Sequence, residues 1–123
     1  MADCCCGGSS KDKLLFACSG AADVGELSDK VARKLRKDGI GKMLCIAALG
    51  ADVDSYLKMA KDANAFNIII DGCSVNCGKK IAANKGITAT VITLTEMGLE
   101  KGKTPVTDEL VDKTAESIKN SLK

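Results

Sequence analysis

Apolar positions fall in two alternating rhythms along the chain. Lys13 to Ser19 (KLLFACS) is a short apolar run ending at Gly20, the form of a buried strand. Val24, Leu27, Val31 and Leu35 then follow at spacings of three and four, one face of a helix. Asp23 can cap that helix, with Glu26 completing a capping box. Lys30, Arg33, Lys34, Arg36 and Lys37 crowd its far half, where cations suit the dipole, and Gly39 can end it.

The scheme repeats. Met43 to Leu49 (MLCIAAL) reads as a second strand, followed by a helix carrying Val53, Leu57 and Ala60, capped by Asp52 or Asp54. Asn67 to Asp71 (NIIID) is a third strand, closing at Gly72-Cys73. Ser74 or Asn76 can cap a third helix through Ile81 and Ala82, with Gly86 as its C-terminal glycine. Thr88 to Leu94 (TATVITL), rich in β-branched residues, is a fourth strand. Residues 95–104 form a loop with one helical turn. A last helix starts near Pro105, with Thr104 or Thr107 as cap, and carries Leu110, Val111, Ala115 and Ile118.

The order β-α-β-α-β-α-β-α predicts a three-layer α/β sandwich around a four-stranded parallel sheet, with strand order 2-1-3-4, as in flavodoxin-like or Rossmann-like folds. Ligands of such sheets collect outside the carboxyl ends of the strands, at the switch point. Residues 1–12 (MADCCCGGSSKD) lack periodicity and read as a flexible tail carrying Cys4, Cys5 and Cys6. Residues 13–123 then form a single domain, which suits a chain of 123 residues.

Composition narrows the chemistry. Eighteen basic and sixteen acidic residues leave +2, too weak a field to expect nucleic acid or an anionic membrane as partner. The three aromatics, Phe16, Tyr56 and Phe66, offer no stacking platform. With no histidine, Ser-His-Asp and Cys-His catalysis and every imidazole-bound metal site are excluded. No signal-like opening and no membrane-length apolar run are seen, so a reducing, cytoplasmic location is expected. The seven cysteines are an odd number, which complete internal pairing cannot accommodate.

The predicted topology sorts these thiols. Cys18 falls at the carboxyl end of strand one and Cys73 at that of strand three, its expected neighbour. Cys77 comes four residues later, in the first turn of the third helix. The three sulfurs are therefore expected to converge at the switch point, beside two helix N-termini whose unpaired N–H groups favour anionic sulfur. Lys79 and Lys80 could add positive charge. Cys45 lies inside the expected second strand, further from the rim. There it is either a small buried hydrophobe or, if it faces strand one, a fourth ligand.

Thiolates select soft metals, so the leading expectation is a Zn²⁺ site of Cys18, Cys73, Cys77 and Cys45, with a metal ion as partner and a protein partner left unassigned. The C-x3-C spacing of Cys73 and Cys77 is a weaker zinc signal than paired C-x2-C knuckles. The alternative is thiol redox chemistry or a sulfur or selenium relay. It would use Cys18 with Cys73 or Cys77 and the Cys4-Cys5-Cys6 tail as exchange partner. The plainest alternative is an interaction module with inert core thiols, since free cysteine is among the most buried residue types.

The segments CSGAADVGELSDKVARKL (18–35), GKMLCIAALGADV (41–53) and DGCSVNCGKKIAANKGI (71–87) resemble the DGC-domain family, named for the triplet that here is Asp71-Gly72-Cys73. The resemblance covers about residues 13–104. It implies zinc binding by four cysteines matching Cys18, Cys45, Cys73 and Cys77, with no established reaction, and it makes Cys45 a ligand or rim thiol. Strand, cysteine, small-residue loop and helix also occur in low-molecular-weight phosphatases. Their C-x5-R arginine is replaced here by Val24, so phosphatase chemistry is not expected.

Overall fold

The computed structural model describes residues 12–122. Cys4, Cys5 and Cys6 lie outside the described residues. The elements run β1 (Asp12–Ala17), α1 (Asp23–Lys37), β2 (Lys42–Met43), α2 (Ile46–Gly50), α3 (Asp54–Lys61), β3 (Ala65–Asp71), α4 (Cys77–Asn84), β4 (Ala89–Thr93), a 3-10 turn (Leu94–Met97) and α5 (Asp108–Ser121). All strand pairings are parallel, in the order β2-β1-β3-β4. This is the expected α/β architecture, with the switch between β1 and β3.

Period-two alternation divides the sheet's residues between its faces. Leu15, Ala17, Ile68 and Ile70 join Leu27, Val31 and Leu35 of α1 and Val111, Ala115 and Ile118 of α5 in one buried cluster. Leu14, Phe16 and Ile69 face the other way, packing with Leu49, Ala60, Ala82 and Ile87 from the α2–α4 side. A fully buried Leu or Ile contributes about 1.5–3 kcal/mol, and Leu15, Ile68 and Ile70 each have no exposed surface. Two sealed apolar layers thus hold the sandwich together. Among the described residues, no helix is long and apolar enough to cross a membrane.

The second strand differs from expectation. The ladder ends at Met43, and Ile46–Gly50 is a short helix rather than the continuation of a strand through Leu49. An apolar run alone does not distinguish a buried strand from a buried helical turn. Ala47, Ala48 and Leu49 are strong helix formers, and β2 is an edge strand with one neighbour to hold it. Only Leu49 of this helix is fully buried.

Three capping expectations are also revised. The residue preceding α1 is Ala22, so Asp23 is the first helical residue, and Val53 rather than Asp52 or Asp54 precedes α3. Asn76 precedes α4 in a left-handed conformation, but its side chain makes no cap bond. Thr107 caps α5 as expected, accepting from the Leu110 N–H at 3.1 Å.

Candidate thiol site at the carboxyl edge of the sheet

Four free cysteines lie along the carboxyl edge of β1, β2 and β3. Cys18 directly follows β1. Its N–H donates to the Ile70 carbonyl at 2.9 Å, carrying the β1–β3 ladder one residue further. Its carbonyl accepts from the Ser28 hydroxyl, which ties the loop to α1. Cys73 comes two residues after β3, in a turn closed by Asn76 N–H donating to the Cys73 carbonyl at 3.0 Å. Cys77 is the first residue of α4. With β2 ending early, Cys45 lies at the rim just before α2, and not within a strand as expected.

None of the four is core. Cys18 and Cys73 are half-buried, and Cys45 and Cys77 are exposed. The fully buried reading of these thiols therefore does not hold, for Cys45 most clearly. Their backbones share one edge, but their side chains do not form a coordination shell as they stand. Among the described residues, no three Cys, Asp or Glu side chains are gathered closely enough to hold one ion.

The turn that carries Cys73 is pressed against α1. A Cβ on Gly72 would stand 2.7 Å from the Val24 carbonyl oxygen and 2.9 Å from Gly25 N, so only glycine permits the approach. Asp71, at the end of β3, is 1% exposed. Its carboxylate accepts from the N–H groups of Gly78 and Lys79, both at 2.9 Å, and so caps α4 from outside the helix. Thr93 Oγ1, at the end of β4, donates to Asn76 Oδ1 at 2.8 Å and pins the intervening loop.

These contacts revise the expected electrostatics. The N–H groups of Gly78 and Lys79 are not open to sulfur, because Asp71 uses them. The Val24 N–H of α1 likewise donates to Asp23 Oδ1 at 2.8 Å. Among the described residues, Lys101 Nζ donates to Cys73 Sγ at 3.6 Å. Sequence reasoning missed it because residues 95–104 carry no periodicity; the bracketing of Lys101 by Gly98 and Gly102 was its only local signal.

Asp23 positions that loop. Its two carboxylate oxygens accept from the N–H groups of Gly102 and Thr104, each at 2.9 Å. Those backbone bonds hold the Asp23 carboxyl below the usual aspartate range. A second polar group stands beside Cys18. Asp29 accepts from Ser19 Oγ at 2.8 Å and from Arg33 Nε at 2.8 Å. Burial opposes ionisation of Asp29, but the hydrogen bonds from Arg33 and Ser19 and the nearby charges of Arg33 and Lys30 outweigh it and hold its carboxyl low.

The DGC-domain family model matches residues 14–118. The chain belongs to the DGC-domain family. The match spans all four rim cysteines and nearly the whole described sandwich. The DGC chain is also similar to the anaerobic and virulence modulator AnvM of Pseudomonas aeruginosa. The two are 34% identical over 89 residues, 72% of this chain and 67% of that protein. No solved structure matches. In this DGC-domain chain the triplet Asp71-Gly72-Cys73 has three separate tasks. The aspartate caps α4, the glycine lets the turn meet α1, and the cysteine presents a thiol at the switch point.

Proposed function

We propose that the chain binds a soft metal ion, Zn²⁺ being the expected one, through Cys18, Cys73, Cys77 and Cys45, in an exchangeable rather than a structural site. The observation that carries this reading is the placement of four free thiols on one edge of the sheet, around the switch between β1 and β3. Membership of the family supports it. The donor chemistry suits a soft ion, whereas the spacing of the side chains as they stand does not, so binding would require them to draw together.

Exchangeability follows from two features. The two apolar layers close without help from the thiols, so folding has no need of a metal. Two of the four candidate ligands are exposed, leaving the ion open to competing thiols and chelators. A bound ion would supply Lewis acidity and neutralise the thiolates; Cys18 and Cys73 would hold it from the strand ends and Cys77 from α4. The reading includes a reducing, cytoplasmic location, where thiols stay free.

Elemental analysis of protein purified without chelator tests this, together with thiol counting before and after chelation. The expected result is near-stoichiometric zinc and thiols released on chelation. Less than about 0.2 equivalents of any soft metal would overturn it.

The Lys101–Cys73 contact favours a second reading, thiol exchange or sulfur relay through Cys73 with Cys18 or Cys77. An ammonium that donates to sulfur occupies a lone pair that a metal would need, so the contact as it stands suits a free thiol better than a ligated one. A role tied to anaerobic conditions, as the relative's name states for that protein, also suits thiols sensitive to oxidation. Fast-reacting thiols in the absence of chelator would mark this second reading.

A further inference from the structure

Residues 98–104 lead from the 3-10 turn towards α5, yet their backbone is held by α1. Gly102 and Thr104 donate to Asp23, their partner 79 and 81 positions earlier. Thr104 Oγ1 donates to the Glu100 carbonyl at 2.7 Å, closing the segment on itself around Lys101. The segment is thus a strap tied down on one side of Lys101 and cinched across it. From that position the ammonium reaches Cys73 Sγ, 28 positions back along the chain.

The geometry points to Lys101 as the residue that makes Cys73 selective for small anionic partners, and to Asp23 as the positioning residue that holds Lys101 in place. This deepens the thiol-exchange reading and rests on it. A positive charge held near the reacting sulfur by its backbone attracts an approaching anion and exerts no such attraction on a neutral molecule of the same size. Unit charges about 4 Å apart in water interact strongly enough to change a rate about fivefold, and added salt reduces the effect. The class expected at Cys73 is therefore carboxylate-bearing or otherwise anionic small molecules with a thiol-reactive centre.

The experiment compares iodoacetate with iodoacetamide, which differ chiefly in charge. With either, the Cys73 sulfur displaces iodide, an S–C bond forms as C–I breaks, and the thiol proton passes to solvent. Rates are read cysteine by cysteine by mass spectrometry on the full chain after chelator treatment. The expected result is that Lys101→Gln lowers the iodoacetate-to-iodoacetamide ratio at Cys73 about three- to fivefold at low salt. Lys101→Arg should keep the ratio, and Asp23→Asn should lower it part of the way. The ratio at Cys45 should not move in any of them. An unchanged ratio at Cys73 in Lys101→Gln, or an equal fall at Cys45, overturns the selectivity. A wild-type ratio in Asp23→Asn overturns the positioning role. Metal content measured on untreated portions of the same samples separates the two questions: a chain without metal that shows the Lys101 effect loses the metal reading and keeps this one.

Discussion

Asp71 Oδ1 accepts a hydrogen bond from the Gly78 N–H at 2.9 Å, and a Cβ on Gly78 would stand 2.7 Å from that same oxygen and 2.6 Å from Ile69 Cγ2. The cap and the glycine therefore require each other. Two effects oppose one another in Gly78→Ala. Alanine is favoured over glycine inside a helix by about 1 kcal/mol. The clash with buried groups that cannot retreat costs about 1–3 kcal/mol. The clash should win, so urea denaturation should show Gly78→Ala less stable than wild type. A gain in stability would mean that α4 can lift off the sheet.

Asp71→Ala removes two charge-assisted bonds and leaves the Gly78 and Lys79 N–H groups without their partner. A loss of about 2–4 kcal/mol is expected in the same assay. Asp71→Asn keeps one acceptor oxygen but turns an NH₂ group towards the other donor, so its loss should be smaller.

Gly72→Ala places a methyl group 2.7 Å from the Val24 carbonyl oxygen. The neighbouring atoms are backbone on both sides, so the turn must move away from α1. Stability should fall by about 1–3 kcal/mol. Because Cys73 is the next residue, its alkylation rate should change as well, while that of Cys45, on the far side of β1, should not. A loss of stability without any change at Cys73 would show that the turn shifts as a unit.

The architecture was legible because each layer repeats a simple period. β1 and β3 are buried central strands, β4 is an edge strand paired with β3 along its whole length, and α1 and α5 have wide apolar stripes. β2 was not legible: MLCIAAL satisfies a strand and a helical turn equally well, and the β1–β2 ladder stops at Met43, after which the chain turns into α2. The edge on which Cys18, Cys73 and Cys77 lie could be read from topology. Two features could not. Asp71 reads as the last residue of a strand, and only the folded turn shows it as a cap. Lys101 reaches Cys73 through Asp23, a contact between segments that no local pattern links.

Serine substitutions separate packing from function at the exposed thiols. Cys45 and Cys77 are exposed, so their conversion to serine removes almost no buried surface. Cys45→Ser and Cys77→Ser should each change stability by no more than about 0.5 kcal/mol. If they also lower zinc content or thiol reactivity, that loss belongs to the site and not to the fold. A large loss of stability in protein free of metal would instead make these cysteines structural.

The strap should respond to pH through Asp23. Its backbone bonds to Gly102 and Thr104 hold the folded carboxyl below its ordinary value of 3.8, overcoming the opposing effect of partial desolvation. A carboxyl whose value is lower in the folded state contributes fully above the unfolded value and loses that contribution as pH falls through the folded one. The strap is therefore expected to stay tied at neutral pH and to loosen only in acid, below 3.8. NMR titration checks this directly. The amide signals of Gly102 and Thr104 should shift together, with the same midpoint as the Asp23 carboxyl carbon and below 3.8. Asp23→Asn should abolish the transition at both amides. Amide midpoints at or above 3.8, or two amides that move independently, would show that one carboxylate does not hold both ends of this contact.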